Sequence, residues 1–159
     1  MAIDPLREIT SYLIPVDGSV ASYNALAVVC DVARRHHAKV AAVHVIEVPR
    51  SLPVEAELTP EAERGEEILT RAEAIADEHD VQLDGSLVQA RDAGQALVDE
   101  AIDVGAGAIV VGLDYRHRPY GRFELGRLPQ YVLTNAPCEV WLIRYAFDEV
   151  RAVSGGEEG

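Results

Sequence analysis

Three short stretches carry the residue types that could do chemistry. Val16-Asp17-Gly18-Ser19 sets a carboxylate beside a flexible backbone turn. One reading is a strand-to-helix turn capped by Asp17 or Ser19, both favoured cap types; the other is a carboxylate at the mouth of a crevice. His44-Val45-Ile46 follows an apolar run and offers backbone groups to a planar ring, while His44 alone reads as a core histidine. The third stretch is the richest. Gly112 permits close backbone approach, the segment after it carries Arg116, His117, Arg118 and Arg122, and Gly126-Arg127 opens a helix with free N–H groups and a positive dipole end. Residues 116–127 hold four arginines against Glu124, a charge of +3, which leaves −16 for the remainder of a chain whose net charge is −13. Guanidinium groups and helix-start amides match phosphate oxygens, so a small anionic ligand fits this stretch. Arginines paired with the protein's own acids, or with a partner subunit, are the competing explanation.

Other chemistries lack their residues. The chain has no Gly-x-Ser-x-Gly elbow, no HExxH and no Walker lysine, and its only lysine, Lys39, stands outside any Gly-rich loop. The expectation is a protein that is not an enzyme, with at most a slow, incidental ATPase activity. Cys30 and Cys138 are far apart with no CxxC, so neither a disulfide framework nor a zinc site is signalled and both read as buried, inert thiols. A charge of −13 repels nucleic acid and anionic membranes, which argues against both as partners. At 159 residues with 48% hydrophobic and 26% charged residues, the chain has room for one globular domain with a real core. No apolar run spans a bilayer, so membrane insertion is not expected, and Met1–Thr10 lacks the pattern of an export signal; the expected location is cytoplasmic.

The elements that must position these residues alternate strictly. Ser11–Asp17 reads as a buried strand, with Ser19 or Ser22 capping a helix in which Ala21, Ala25, Val29 and Val32 recur through to Arg35. Lys39–Glu47 is a second strand, closed by Pro49 and Pro53. Thr59-Pro60-Glu61 reads as cap, first-turn proline and dipole-favoured acid of a helix to about Glu78, with Gly65, Ile68, Ala72, Ile75 and Ala76 inward. Ten acids between Glu55 and Asp80 read as its solvated face. A third strand over Val81–Gln89, at an edge, precedes a helix from Asp92 to Val104 with Leu97, Val98, Ala101 and Ile102 inward, ended by Gly105 and Gly107. Ala108–Gly112 is the most apolar strand. A loop over Leu113–Leu125, a short helix Gly126–Ala136 and a last strand Val140–Arg144 complete the domain, with Val140 and Leu142 facing opposite to Trp141 and Ile143. The domain is expected over 1–147 and a flexible, acidic, Gly-rich tail over 148–159.

Five strands alternating with four helices imply a parallel sheet covered on both faces, whose ligands bind beyond the carboxyl ends of the strands where strand order reverses. The functional residues are therefore expected just after the first, second and fourth strands.

IPVDGS at 14–19, VHVI at 43–46, AIVVG at 108–112 and GRLPQYVLTNAPCEVWLIR at 126–144 together resemble the universal stress protein (UspA) family over Ile9–Arg144. The resemblance implies an α/β fold of the Rossmann-like, adenine nucleotide alpha hydrolase-like kind, with an open twisted five-stranded sheet in the order 3-2-1-4-5. It also implies a homodimer through the last strand, Val140–Arg144. Nucleotide-binding members carry G-x2-G-x9-G-[S/T], which wraps the phosphates. Asp17 then matches the first-strand acid on the ribose or adenine side, Val45 the backbone partner of adenine, Gly112 the first glycine and Gly126 the third. Pro15, Val111, Arg127 and Leu128 complete the implied cofactor-binding set, for ATP or AMP, with Mg accompanying the nucleotide. Tyr115 replaces the middle glycine, Arg127 replaces the Ser/Thr, and the Gly112–Gly126 interval is one residue longer than the motif asks. Tyrosine adds bulk beside the phosphate path, whereas Arg127 trades a hydroxyl for a permanent cation. Two functions follow: a sensor or regulator binding ATP, ADP, AMP or a related anion, or a dimeric stress-response module that binds no ATP and contacts another protein such as a transporter.

Overall fold

The computed structural model describes residues 9–115 and 119–148. The chain runs β1 (Ser11–Pro15), α1 (Val20–His36), β2 (Lys39–Glu47), α2 (Thr59–Glu78), β3 (Leu83–Ala90), α3 (Ala93–Val104), β4 (Ala108–Gly112), α4 (Arg127–Asn135) and β5 (Glu139–Ile143). The strands form one sheet in the order β3-β2-β1-β4-β5, and every neighbouring pair is parallel. The α/β fold, the strand order and the edge position of the third strand are as expected. Strand order reverses at β1, which pairs with β2 on one side and β4 on the other.

Strand alternation divides the core into two layers, because successive side chains point to opposite faces. Tyr12, Ile14 and Val110 face α1 and α2, where Leu26, Val29, Ile68 and Ala72 meet them. Leu13, Val43, Ile109 and Val111 face the other way, under Leu97 and Ala101 of α3 and Val132 of α4. β5 keeps the expected split: Trp141 and Ile143 pack on the first layer, Val140 and Leu142 on the second. Trp141 meets Tyr12 edge to face, with ring centroids 5.3 Å apart. The acids of α2 are exposed and its stripe Gly65, Ile68, Ala72, Ile75, Ala76 is buried, joined by Leu69.

Several local expectations change. Thr59 is the first helical residue of α2 rather than its cap: Leu58 takes the cap position with no side-chain bond, and its carbonyl accepts from Ala62 N–H at 2.8 Å. Pro60 removes one of the amides a capping side chain would serve. β3 begins at Leu83 because Val81 N–H still closes the end of α2 on Ala76 O at 3.0 Å. Ile102 is 60% exposed, since α3 seats Gly94, Leu97, Val98 and Ala101 and turns its neighbour away. Cys30 is buried, and burial pushes its thiol up to about 11, whereas Cys138 is only half-buried. The boundaries of the last helix and strand each move by one residue. Arg116, His117 and Arg118, and the tail from residue 149, lie outside the described residues.

Candidate functional site

β1 ends at Pro15, and the chain leaves it through a tight, left-handed turn. Val16 N–H donates to Val43 O at 2.9 Å, the last backbone bond between the β1 segment and β2. Asp17 is exposed, and its Oδ1 accepts from Ser19 N–H at 2.9 Å. Gly18 holds φ +87°, a conformation that L side chains rarely adopt. Ser19 Oγ then caps α1 by accepting from Ser22 N–H at 3.1 Å. Capping therefore falls to Ser19, and Asp17 keeps one carboxylate oxygen beyond its turn contact.

On β2, Val43 turns its backbone groups toward β1. Val45, two residues on, presents its N–H and C=O to the same side, past the end of β1 and into the crevice. His44 is half-buried, and its Nδ1 donates to Val16 O at 2.7 Å, so the ring ties β2 to the β1 turn.

β4 ends at Gly112, whose absent side chain has a packing reason. A Cβ there would lie 2.5 Å from Ala21 O and 2.8 Å from Ala25 Cβ, so α1 crosses β4 in direct contact with it. α4 opens at Gly126, which has φ −68° and no side-chain cap. A Cβ on Gly126 would meet nothing nearer than Pro129 at 3.8 Å. Because Pro129 has no N–H, the amides of Arg127 and Leu128 make up the first turn's donor edge. The Arg127 side chain is 93% exposed, and its Nη2 lies 3.4 Å from Asp92 Oδ2. Asp92 Oδ1 meanwhile caps α3 through Gln95 N–H at 3.0 Å.

These ends enclose a cavity of about 770 Å³, within the range of small-ligand sites. Pro15, Asp17, Val45, Val111, Gly112, Gly126, Arg127 and Leu128 all line it. Tyr115 borders the cavity without filling it. Its ring stacks on Tyr145 at 4.7 Å between centroids, and its hydroxyl accepts from Asn24 Nδ2 at 2.8 Å. The described lining also includes Asp114, Glu124, Arg122, Tyr120 and Phe123, with the Arg144 guanidinium 5.6 Å from the Phe123 ring centroid. Among the described lining residues the carboxylates of Asp17, Asp114 and Glu124 share the cavity with the guanidiniums of Arg122 and Arg127. Among the described residues no cluster of three or more His, Cys, Asp or Glu could hold a metal ion. No helix among them is long and apolar enough to cross a membrane.

Sequence reasoning missed Asp114, Tyr120, Phe123 and Asn24. The signal available was the interleaving of Tyr120 and Phe123 with the charged residues of that loop. Asn24 meets Tyr115 across 91 residues, a distance no local pattern spans.

Fold and cavity define a doubly wound α/β protein of Rossmann-like class with a ligand-sized crevice at its topological switch point. The chain matches the Universal stress protein family over residues 10–144 and belongs to that family. A universal stress family protein from Burkholderia pseudomallei is 23% identical, with a TM-score of 0.66 over 89% of this chain and 98% of that one. The universal stress protein from Archaeoglobus fulgidus in complex with dAMP is 20% identical, with a TM-score of 0.68 over 84% of this chain and 97% of that one. A universal stress family protein from Arabidopsis thaliana with AMP bound is 18% identical, with a TM-score of 0.64 over 88% and 94%. No curated protein sequence matches the chain.

Proposed function

We propose that the cavity binds an adenine nucleotide, ATP, ADP or AMP, and that the protein is a cytoplasmic sensor or regulator rather than an enzyme. The observation that carries this reading is the cavity itself. About 770 Å³ is gathered at the switch point, with an exposed carboxylate, an open strand edge and a helix start around it. In this reading the adenine meets the Val45 backbone and the ribose meets Asp17. Phosphates lie against Gly126 and the amides of Arg127 and Leu128, at the positive end of α4. Mg accompanies a polyphosphate. The dAMP and AMP complexes of the two structural relatives support the ligand class.

Thermal unfolding tests it. A ligand at a hundred times its dissociation constant adds about 2.7 kcal/mol, which raises Tm by roughly 5–10 °C for a domain of this size. Such a rise is expected with at least one of ATP, ADP and AMP at millimolar concentration. The second reading, a module that binds no ATP and serves another protein, is favoured by the Arg127–Asp92 ion pair, which engages the guanidinium without a ligand. Absence of any rise with all three nucleotides selects it.

Arg127→Glu separates the two further. The residue is almost wholly exposed and its ion pair is a surface one, so the unliganded Tm should move by no more than about 2 °C. The nucleotide-induced rise should disappear; a rise of the original size removes Arg127 from the site.

We also place a dimer at β5. Its outer edge is unpaired within the sheet, and Val140, Trp141, Leu142 and Ile143 are only half-buried there. Pairing with a second copy would cover an edge that otherwise invites aggregation. Light scattering at micromolar concentration should give twice 17.3 kDa, and Val140→Lys should shift the mass toward one subunit. A wild-type mass of one subunit contradicts the dimer.

A further inference from the structure

The residue that breaks the family's glycine pattern is built into a fixture. Tyr115 and Tyr145 stack nearly parallel, 15° between planes and 4.7 Å between centroids, and both hydroxyls are tied to α1. Asn24 Nδ2 donates to the Tyr115 hydroxyl at 2.8 Å, and the Tyr145 hydroxyl donates to Ala21 O at 3.2 Å. Ala21 O is the same carbonyl against which Gly112 packs. The exit of β5 holds the β4 exit at a second point, where Leu113 N–H donates to Ile143 O at 2.8 Å, and Arg144 covers Phe123 farther along the loop. A glycine at position 115 would leave this stretch conformationally free, and each ordered residue would then carry its entropy cost on binding.

We propose that Tyr115 and Tyr145 form a clamp that sets the start of the loop between β4 and α4. They are then positioning residues for the phosphate end of the ligand, with Tyr115 at the border of the cavity and Tyr145 behind it, outside the lining. The inference rests on the nucleotide reading of the cavity. Its direction follows from topology: the clamp belongs to the β4–β5 side, which leads to Gly126 and the α4 start, while Asp17 and Val45 stand on the β1–β2 side.

Dissociation constants of AMP, ATP and adenosine, measured by calorimetry on the full chain, decide it. Tyr145→Leu removes the stack and should weaken AMP and ATP by about threefold to tenfold, the worth of an aromatic pair, with adenosine unchanged within about twofold. Tyr145→Phe keeps the ring and should hold AMP within about twofold of wild type. The double variant Tyr115→Leu/Tyr145→Leu should bind AMP no more weakly than Tyr145→Leu alone, because the two rings act as a unit. Equal weakening of adenosine and AMP, or unchanged AMP affinity in Tyr145→Leu, overturns the clamp while leaving the cavity reading intact. A wild-type protein that binds none of the three overturns both.

Discussion

Gly112→Ala should cost about 3 kcal/mol of stability and lower Tm by roughly 6–12 °C, although it adds a single methyl group to a strand end. The new carbon would stand 2.5 Å from Ala21 O and 2.8 Å from Ala25 Cβ, and the nearer of these is backbone in the first turns of α1, which cannot swing aside. Relief requires α1 to lift off β4, which opens contacts around Leu26 and Val29 in the first core layer. Gly126→Ala makes the contrasting case. Its nearest neighbour would be 3.8 Å away and its φ of −68° suits any residue, so Tm should stay within about 2 °C of wild type. Both positions match glycines of the family motif, yet only one is fixed by the fold. A Gly126→Ala protein that is stable but loses its nucleotide-induced rise would assign that glycine to the ligand; comparable destabilisation of both variants would contradict the packing argument.

Asp17→Ala should lower nucleotide affinity by about tenfold to a hundredfold, the value of a hydrogen bond made by a charged group. The side chain also accepts from Ser19 N–H at 2.9 Å in an exposed turn. Asp17→Asn keeps an acceptor oxygen for that amide while removing the charge. The asparagine variant should melt with wild-type protein and still bind the nucleotide more weakly, which separates the ligand contact from the turn. Unchanged affinity in both variants removes Asp17 from the ribose. Calorimetric titration with AMP and ATP reads the difference directly.

The architecture was legible because its signals are local. AIVVG at 108–112 is the most apolar strand and lies buried between β1 and β5, and the two-residue alternation in β5 assigns Trp141 and Val140 to opposite faces. Ser19 was readable as a cap alongside Asp17 and Ser22, and the Ser22 N–H bond to its Oγ selects it. Thr59 looked equally readable, but Pro60 changes which amides need a partner and the cap position slides to Leu58. Ile102 failed for a different reason: helical periodicity gives the direction of a stripe, and the neighbouring helix decides how wide the covered stripe is.

At the cavity, residue types were legible and their reasons were less so. Gly112 suggested close approach, and the approach is that of α1. Tyr115 suggested bulk in a phosphate path, whereas its ring is drawn aside by Tyr145 and Asn24, partners 30 and 91 residues away in sequence. Arg127 was readable as a cation at a helix start, but its pairing with Asp92 depends on α3 and α4 lying side by side, which only the folded chain shows.

Amide chemical-shift mapping during titration of AMP into ¹⁵N-labelled protein addresses the nucleotide site most directly. Saturable shifts are predicted at Asp17–Ser19, Val45, Gly112 and Gly126–Leu128, with the outer strand β3 and the acidic face of α2 unmoved. Shifts confined to other surfaces, or a spectrum unchanged at millimolar AMP, would contradict the account.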